Sequence, residues 1–93
     1  MSELARFHDI VIAVFFRDVG KHKRPHVHAR YDEHAASVTI YNGAVLDGKL
    51  PRPAMQLVRA WLKRNQVQVW EAWRLASTGK AVGKIGKRKK GGR

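Results

Sequence analysis

The sequence predicts a single α+β domain, with an antiparallel sheet of three to four strands followed by two helices packed on one face of the sheet. Three observations support this fold class. Residues 26–41 alternate between apolar and polar side chains, residues 54–62 place apolar side chains at helical spacing, and an apolar content of 44% suits one core. A chain of 93 residues buries roughly 60–65% of its unfolded surface, so we expect one domain of modest stability.

The first predicted strand covers residues 10–16, which are apolar at every position and rich in β-branched and aromatic side chains. That composition is typical of a central strand that is covered on both faces. Residues 17–24 are polar and basic, contain Gly20 and precede Pro25, and therefore form a predicted loop.

A second and a third strand form a predicted hairpin around Asp32 and Glu33. Residues 26–31 and 35–41 each alternate between apolar and polar positions. A register that pairs Tyr31 with His34 matches apolar with apolar side chains, and polar with polar, along the whole hairpin. The further pairs in this register are Ala29 with Ala36, Val27 with Val38, His28 with Ser37 and His26 with Thr39.

The second half of the domain is predicted to contain a short strand and two helices. The dipeptide Asn42-Gly43 is a strong signal for a two-residue hairpin turn, so residues 44–46 should form a fourth strand that Asp47-Gly48 ends. A helix should open at residues 50–53, and a second should cover residues 68–78. The first helix buries Ala54, Leu57, Val58, Trp61 and Leu62, and its opposite face carries Arg52, Gln56, Arg59 and Lys63. Trp61, Trp70 and Trp73 should belong to the core or to an interface.

The basic charge is concentrated at the C-terminal end of the chain. The sequence has 19 Lys and Arg against 7 Asp and Glu, a formal charge of +12. Residues 80–93 account for +7 of this charge and have little apolar content, so we expect residues 1–79 to form the domain and residues 80–93 a disordered basic tail. The sequence contains no cysteine, which excludes disulfides and thiolate chemistry, and no apolar stretch is long enough to span a membrane. We therefore expect a cytoplasmic protein that does not bind membranes.

The motif Pro25-His26-Val27-His28-Ala29-Arg30-Tyr31, followed by Gly43, by Gly48-Lys49-Leu50-Pro51 and by Trp61 and Trp73, resembles the bacterial family known as domain of unknown function 4160. The resemblance covers about residues 5–85. It implies no established activity, but members are often encoded beside another small protein, in an arrangement similar to that of a toxin–antitoxin pair. Asp32-Glu33 stands where members commonly have a glycine, and the basic tail extends beyond the usual end of the family.

The sequence His26-x-His28 is the strongest chemical signal, because residues i and i+2 of a strand point to the same face. Two imidazoles together suit Zn²⁺, but zinc needs a third protein ligand, and His34, His22, His8 and the carboxylates are not distinguished by the sequence. Arg30 and the basic loop also disfavour a cation. We therefore favour no metal, with His26 and His28 as ligands if one binds, and we expect no cofactor.

The same face could instead cleave phosphodiesters without a metal. His26 and His28 would serve as general base and acid, and Arg30 or Lys23 would stabilise the charge that develops on the phosphate. Tyr41 lies within reach across the predicted hairpin. A structural role is the alternative, in which both histidines hydrogen-bond Ser37, Thr39 and backbone groups.

A third set of residues would contact nucleic acid through its phosphates. No helix-turn-helix, zinc-finger or RNA-recognition signature accompanies them, so binding should follow the backbone rather than the base sequence. The candidate residues are Lys21, Lys23, Arg24, Arg52, Arg59, Lys63, Lys84, Lys87, Arg88, Lys89 and Lys90.

These observations favour a nucleic-acid-associated component of a toxin–antitoxin-like pair. The alternatives are a metal-independent ribonuclease that uses His26, His28 and Arg30, and a protein-interaction module with structural histidines. Since two helices cover only one face of a sheet, Val11, Ala13 and Phe15 or their neighbours need cover elsewhere. We therefore also expect a homo-oligomer, or a small partner protein.

Overall fold

The computed structural model of the chain describes residues 2–14, 24–79, 83 and 85. Its elements are five strands and two helices, in the order β1 Ser2–Phe7, β2 Ile10–Val14, β3 His26–Tyr31, β4 His34–Thr39, β5 Val45–Lys49, α1 Arg52–Arg64 and α2 Gln66–Ser77. The strands form one antiparallel sheet in which spatial order follows chain order. The α+β class is confirmed, but the sheet has five strands, and the prediction of three to four was wrong.

The strand that the sequence analysis missed is β1, at one edge of the sheet. Its pairing with β2 shifts between Glu3 and Ala5, so Leu4 is an extra residue that breaks the two-residue alternation. The tight turn to β2 consists of His8 and Asp9, whose φ angles of 49° and 63° are both positive. Such turns usually contain Asn or Gly, so neither the strand pattern nor the turn pattern indicated this hairpin.

The central hairpin of β3 and β4 has the predicted register. Tyr31 pairs with His34, and the other pairs follow down to His26 with Thr39. Apolar side chains thus share one face and polar side chains the other, as the alternation required.

The connection from β4 to β5 differs from the predicted two-residue turn. β4 ends at Thr39 and β5 begins at Val45, so residues 40–44 form a five-residue loop. Gly48 was expected to end the fourth strand but lies within β5, with φ +77°. A Cβ there would stand 2.2 Å from the carbonyl oxygen of Ala35, so only glycine lets β5 approach β4 this closely.

Both helices contribute to one hydrophobic core with the sheet face that carries Ile12, Ala29 and Val38. α1 presents the predicted apolar stripe, except that Leu57 is 38% exposed and Met55 is buried in the core. α2 buries Val69, Ala72 and Ala76. Of the three tryptophans, which were predicted to belong to the core or to an interface, Trp61 is buried and Trp73 packs against the core, whereas Trp70 is 37% exposed and lies outside the core.

Two predicted segments lie wholly or largely outside the described residues. These are the basic loop, of which Arg24 alone is described, and the tail of residues 80–93, of which Gly83 and Ile85 are described. The N–H of Ile85 donates a hydrogen bond to the carbonyl oxygen of Leu4 (2.8 Å), and its side chain packs against the core beside β1. Among the described residues, no helix has the length and apolar character needed to cross a membrane.

Candidate functional site

Two of the predicted catalytic residues, His28 and Arg30, lie on the sheet face opposite the one that carries the core residues Ala29 and Val38. The strand pairings place Glu3, Ala13, His28, Ser37 and Asp47 in one row across all five strands. Directly paired residues share a face of the sheet, so these side chains project together. Asp47 belongs to this row only because β5 continues past its predicted end, and the sequence analysis therefore missed it.

His26 is buried and 1% exposed. Its ring centroid lies 5.1 Å from that of His28 and 5.1 Å from that of Trp73 on α2. Nδ1 lies 2.6 Å from the carbonyl oxygen of Arg24. A carbonyl oxygen can only accept, so Nδ1 carries a proton and, in the neutral ring, Nε2 holds the lone pair. This burial takes His26 out of reach of a dissolved substrate and suits a role in the structure of β3.

His28 is half-buried and borders a cavity of about 300 Å³ on the open sheet face. Nδ1 of His28 and Oγ of Ser37 are 3.3 Å apart, within hydrogen-bonding distance. The floor of the cavity consists of small or apolar residues, Val11, Ala13, Ala35 and Gly48 among them, and its polar rim adds Arg30 and Asp47. His28, not His26, is thus the histidine that a small ligand can meet.

The order of the polar residues in this row does not match that of a nucleophilic serine triad. In a nucleophilic serine triad, histidine lies between the serine and a carboxylate that orients it. Here Ser37 lies between His28 and Asp47, so the carboxylate is placed beside the serine instead. For a metal, no group of three His, Cys, Asp or Glu side chains within the described part of the chain could hold an ion.

Arg30 and Tyr41 lie at opposite ends of the hairpin. Arg30 is exposed and follows His28 on the same face, beside the cavity. Tyr41 comes two residues after Thr39, the partner of His26, and is 78% exposed in the loop between β4 and β5. Arg30 pairs with Ala35 beside the turn at residues 32 and 33, whereas Tyr41 follows the other end of β4. The four predicted catalytic residues do not converge on one point.

The outward side of α1 forms the second candidate region. Arg52, Arg59 and Lys63 are all exposed, and the thirteen residues of α1 contain four basic residues and no acid. A groove of about 500 Å³ runs between α1 and β5, and its charged lining consists of Lys49, Arg52 and Arg59. Lys49 was not among the predicted phosphate contacts, because its position beside Arg52 depends on the full length of β5.

The loop of residues 40–44 is attached to both helices. Nε of Arg59 donates a hydrogen bond to the carbonyl oxygen of Gly43 (2.9 Å), and Nε2 of Gln66 donates one to that of Ile40 (3.0 Å). Oε1 of Gln66 accepts a hydrogen bond from Nε1 of Trp70 (2.9 Å). Exposed Tyr41 thus belongs to a loop that is bonded to α1 at Gly43 and to α2 at Ile40.

The charges of two exposed arginines are partly neutralised by neighbouring carboxylates. Arg6 bonds Glu3 across the bulge of β1, and Arg74 bonds Glu71 on α2. The hydrogen bond from Arg74 lowers the pKa of Glu71, and this effect is larger than the opposing effect of desolvation. These two arginines are weaker candidates for phosphate binding than Arg52 or Lys63.

Several predicted phosphate contacts cannot be placed. Arg24 is exposed at the start of β3, where its carbonyl group holds His26. Arg52, Arg59 and Lys63 lie on α1. The remaining seven predicted phosphate contacts lie outside the described residues and stay predictions, namely Lys21, Lys23, Lys84, Lys87, Arg88, Lys89 and Lys90.

One family comparison matches this chain. The model of the family described as "Domain of unknown function (DUF4160)" matches residues 10–74, from β2 into α2. This range leaves out β1 and is shorter than the resemblance over residues 5–85. No curated protein and no solved structure matches the chain.

Proposed function

Since the chain belongs to the DUF4160 family, whose description names no activity, we propose from its own surface that it binds nucleic acid through the phosphate backbone. The observation that carries this proposal is the charge of α1, with four basic residues and no acid, three of them exposed on one side. Each phosphate that such a side chain neutralises releases condensed counterions, which favours binding at low salt. Lys49 extends the same surface onto β5.

The test compares charge removal on and off this surface. Arg52→Gln and Lys63→Gln should each weaken binding to duplex DNA and reduce the slope of log K against log salt by about 0.9. Arg6→Gln is the matched control, since it removes the same charge from a side chain that is already paired with Glu3. Equal effects of all three substitutions, or no binding by the unaltered chain at low salt, would contradict the proposal.

A metal-independent ribonuclease is the second candidate, and the cavity beside His28 favours it. Because His26 is buried, the acid–base pair would be His28 with Asp47, both of which line that cavity, while Arg30 would contact the phosphate. RNA cleavage in the presence of a chelator should then be lost in His28→Ala and in Asp47→Asn, and should persist in Lys63→Gln at saturating RNA. Cleavage that survives in His28→Ala excludes this site.

Association with a second protein is the remaining proposal. The family resemblance supports a toxin–antitoxin-like pair, and the expectation of a homo-oligomer rests on the argument that two helices cover only one face of the sheet and leave the other open. Val11 and Ala13 on that face are nevertheless buried within the single chain, at 7% and 3% exposure. The need to cover these two side chains therefore gives no support for a dimer, and light scattering at high protein concentration is the direct test.

A further inference from the structure

An aromatic surface lies at the loop of residues 40–44, which Arg59 joins to α1 and Gln66 joins to α2, and Tyr41 is the one residue that it shares with the predicted catalytic set. Tyr41 and Val67 are each 78% exposed, and Trp70 is 37% exposed. A groove of about 520 Å³ separates Pro25 from the outward side of α2, with Trp70 and Trp73 in its lining. We refer to Tyr41, Trp70 and this groove as the aromatic surface.

The indole of Trp70 is held in place by its neighbours. Its N–H donates to Gln66, and Gln66 donates in turn to the carbonyl oxygens of Ile40 and Leu62. This attachment uses the polar edge of the indole while part of the ring stays accessible. A ring held in this way loses little conformational freedom when a flat ligand stacks on it.

Cations border the aromatic surface on the side of the loop. Arg59 contacts Gly43, two residues from Tyr41, and Arg52 and Lys49 continue along the groove between α1 and β5. Accessible aromatic rings next to a row of cations are the arrangement with which proteins bind single strands, because every base has a face that can stack and every nucleotide carries a phosphate. A duplex keeps its bases stacked on one another and offers no such face.

We infer that the aromatic surface binds single-stranded nucleic acid, with bases stacked on Trp70 and Tyr41 and phosphates beside Arg59 and Arg52. This inference rests on the proposed function and specifies its ligand as single-stranded rather than duplex. An apolar segment of another protein would use Val67 and Pro25 as well as the rings. The adjoining cations favour a polyanion as the ligand. The experiment distinguishes single-stranded nucleic acid from an apolar protein segment.

The experiment measures fluorescence anisotropy of a labelled oligothymidine, an oligouridine and a duplex of equal length, with the full chain. Trp70→Leu keeps an apolar side chain but removes the aromatic face, and it should weaken binding of the single strands by about 5- to 100-fold. Trp70→Phe restores an aromatic face and should recover most of the affinity. Tyr41→Leu and Tyr41→Phe should behave in the same way. Circular dichroism verifies that each variant is folded.

The outcomes distinguish this inference from the proposed function. A single-strand preference that is lost in Trp70→Leu and kept in Val67→Ala supports stacking. If the duplex binds as tightly as the single strands and Trp70→Leu changes neither, the inference fails while backbone binding stands. If the unaltered chain binds none of the three oligonucleotides, both proposals fail. Single-strand binding could also fall equally in Val67→Ala and Trp70→Leu and fail to recover in Trp70→Phe. That result would indicate a merely apolar contact and would overturn the inference of base stacking.

Discussion

Arg59 of α1 and Gly43 of the loop between β4 and β5 fit against each other. Nε of Arg59 donates a 2.9 Å hydrogen bond to the carbonyl oxygen of Gly43, and Cγ of Arg59 lies 2.8 Å from where a Cβ at residue 43 would stand. The absence of a side chain at Gly43 is what lets the arginine cross the loop. A residue predicted for phosphate binding thus also joins the helix to the sheet.

Alanine substitutions at three of the eight glycines, Gly43, Gly48 and Gly83, should differ in their cost to stability. Gly43→Ala should cost about 1–2 kcal/mol, because its φ of +73° disfavours alanine and Arg59 must move. Gly48→Ala should cost more than about 2 kcal/mol, since its Cβ would meet backbone that cannot yield. Gly83→Ala is the control, because a Cβ there meets nothing within 4 Å. Urea unfolding gives the three free energies, and equal values for Gly48 and Gly83 would contradict this account.

His26 and His28 should differ in how much each contributes to the stability of the fold. His26→Ala removes a buried ring and its hydrogen bond to the Arg24 carbonyl, and should lower the free energy of unfolding by about 2–4 kcal/mol. His28→Ala truncates a half-buried ring at the rim of a cavity and should cost about 1 kcal/mol or less. Equilibrium denaturation measures both, and the reverse order would show that His28 is the structural member of the pair.

Asp32 offers a stabilising substitution. It is the first residue of the turn between β3 and β4 and has φ +57°, a conformation that glycine adopts more readily than aspartate. Asp32→Gly should raise the free energy of unfolding by up to about 1 kcal/mol, measured as a higher Tm. Glu33→Gly in the same turn is the control and should not stabilise, because Glu33 is not among the residues with positive φ. Equal Tm changes in the two variants would argue against relief of strain.

Glu71 should oppose binding of a polyanion at the aromatic surface. It is bonded to Arg74, and both line the groove beside Trp70. Glu71→Gln frees the guanidinium group and should strengthen single-strand binding several-fold at low salt, with a steeper salt dependence. Glu33→Gln makes the same charge change in the turn between β3 and β4, and should have the smaller effect. If both substitutions strengthen binding alike, only net charge is responsible.

The same ion pair predicts a response to pH. The hydrogen bond that Arg74 donates to Glu71 is the main reason that the pKa of Glu71 is lowered. A carboxyl group with a lowered pKa stabilises the folded state above its unfolded pKa, and this contribution is lost as the pH falls through the folded pKa. In Arg74→Gln the pKa of Glu71 should therefore rise, as followed by NMR titration of its side-chain carboxyl carbon. An unchanged titration would show that the pair does not persist in solution.

The parts of the fold that depend on regular alternation could be predicted from the sequence. Apolar and polar side chains match in only one register between β3 and β4, and that register is the observed one. β1 was not predicted, because the bulge at Leu4 places Glu3 and Arg6 on the same face three residues apart. The full extent of β5 was missed for a related reason, since its pairing also shifts between Ser37 and Val38 and its glycine resembled a strand end.

The candidate site was less predictable than the fold. His26, His28 and Arg30 share a strand face, but alternation cannot say which of them is accessible, and Trp73 from a distant helix covers His26. The neighbours of Tyr41 depend on Gln66 and Arg59, which reach the loop through single hydrogen bonds. Contacts of this kind leave no periodic signal in the sequence.

The hydrogen bond between Ile85 and Leu4 brings residue 85 to the edge of the sheet at β1. An edge strand presents backbone N–H and C=O groups with which the strand of another molecule can pair. The carbonyl group of Leu4 is one of these groups, and the chain itself occupies it. This contact therefore protects part of the β1 edge from pairing with a second molecule.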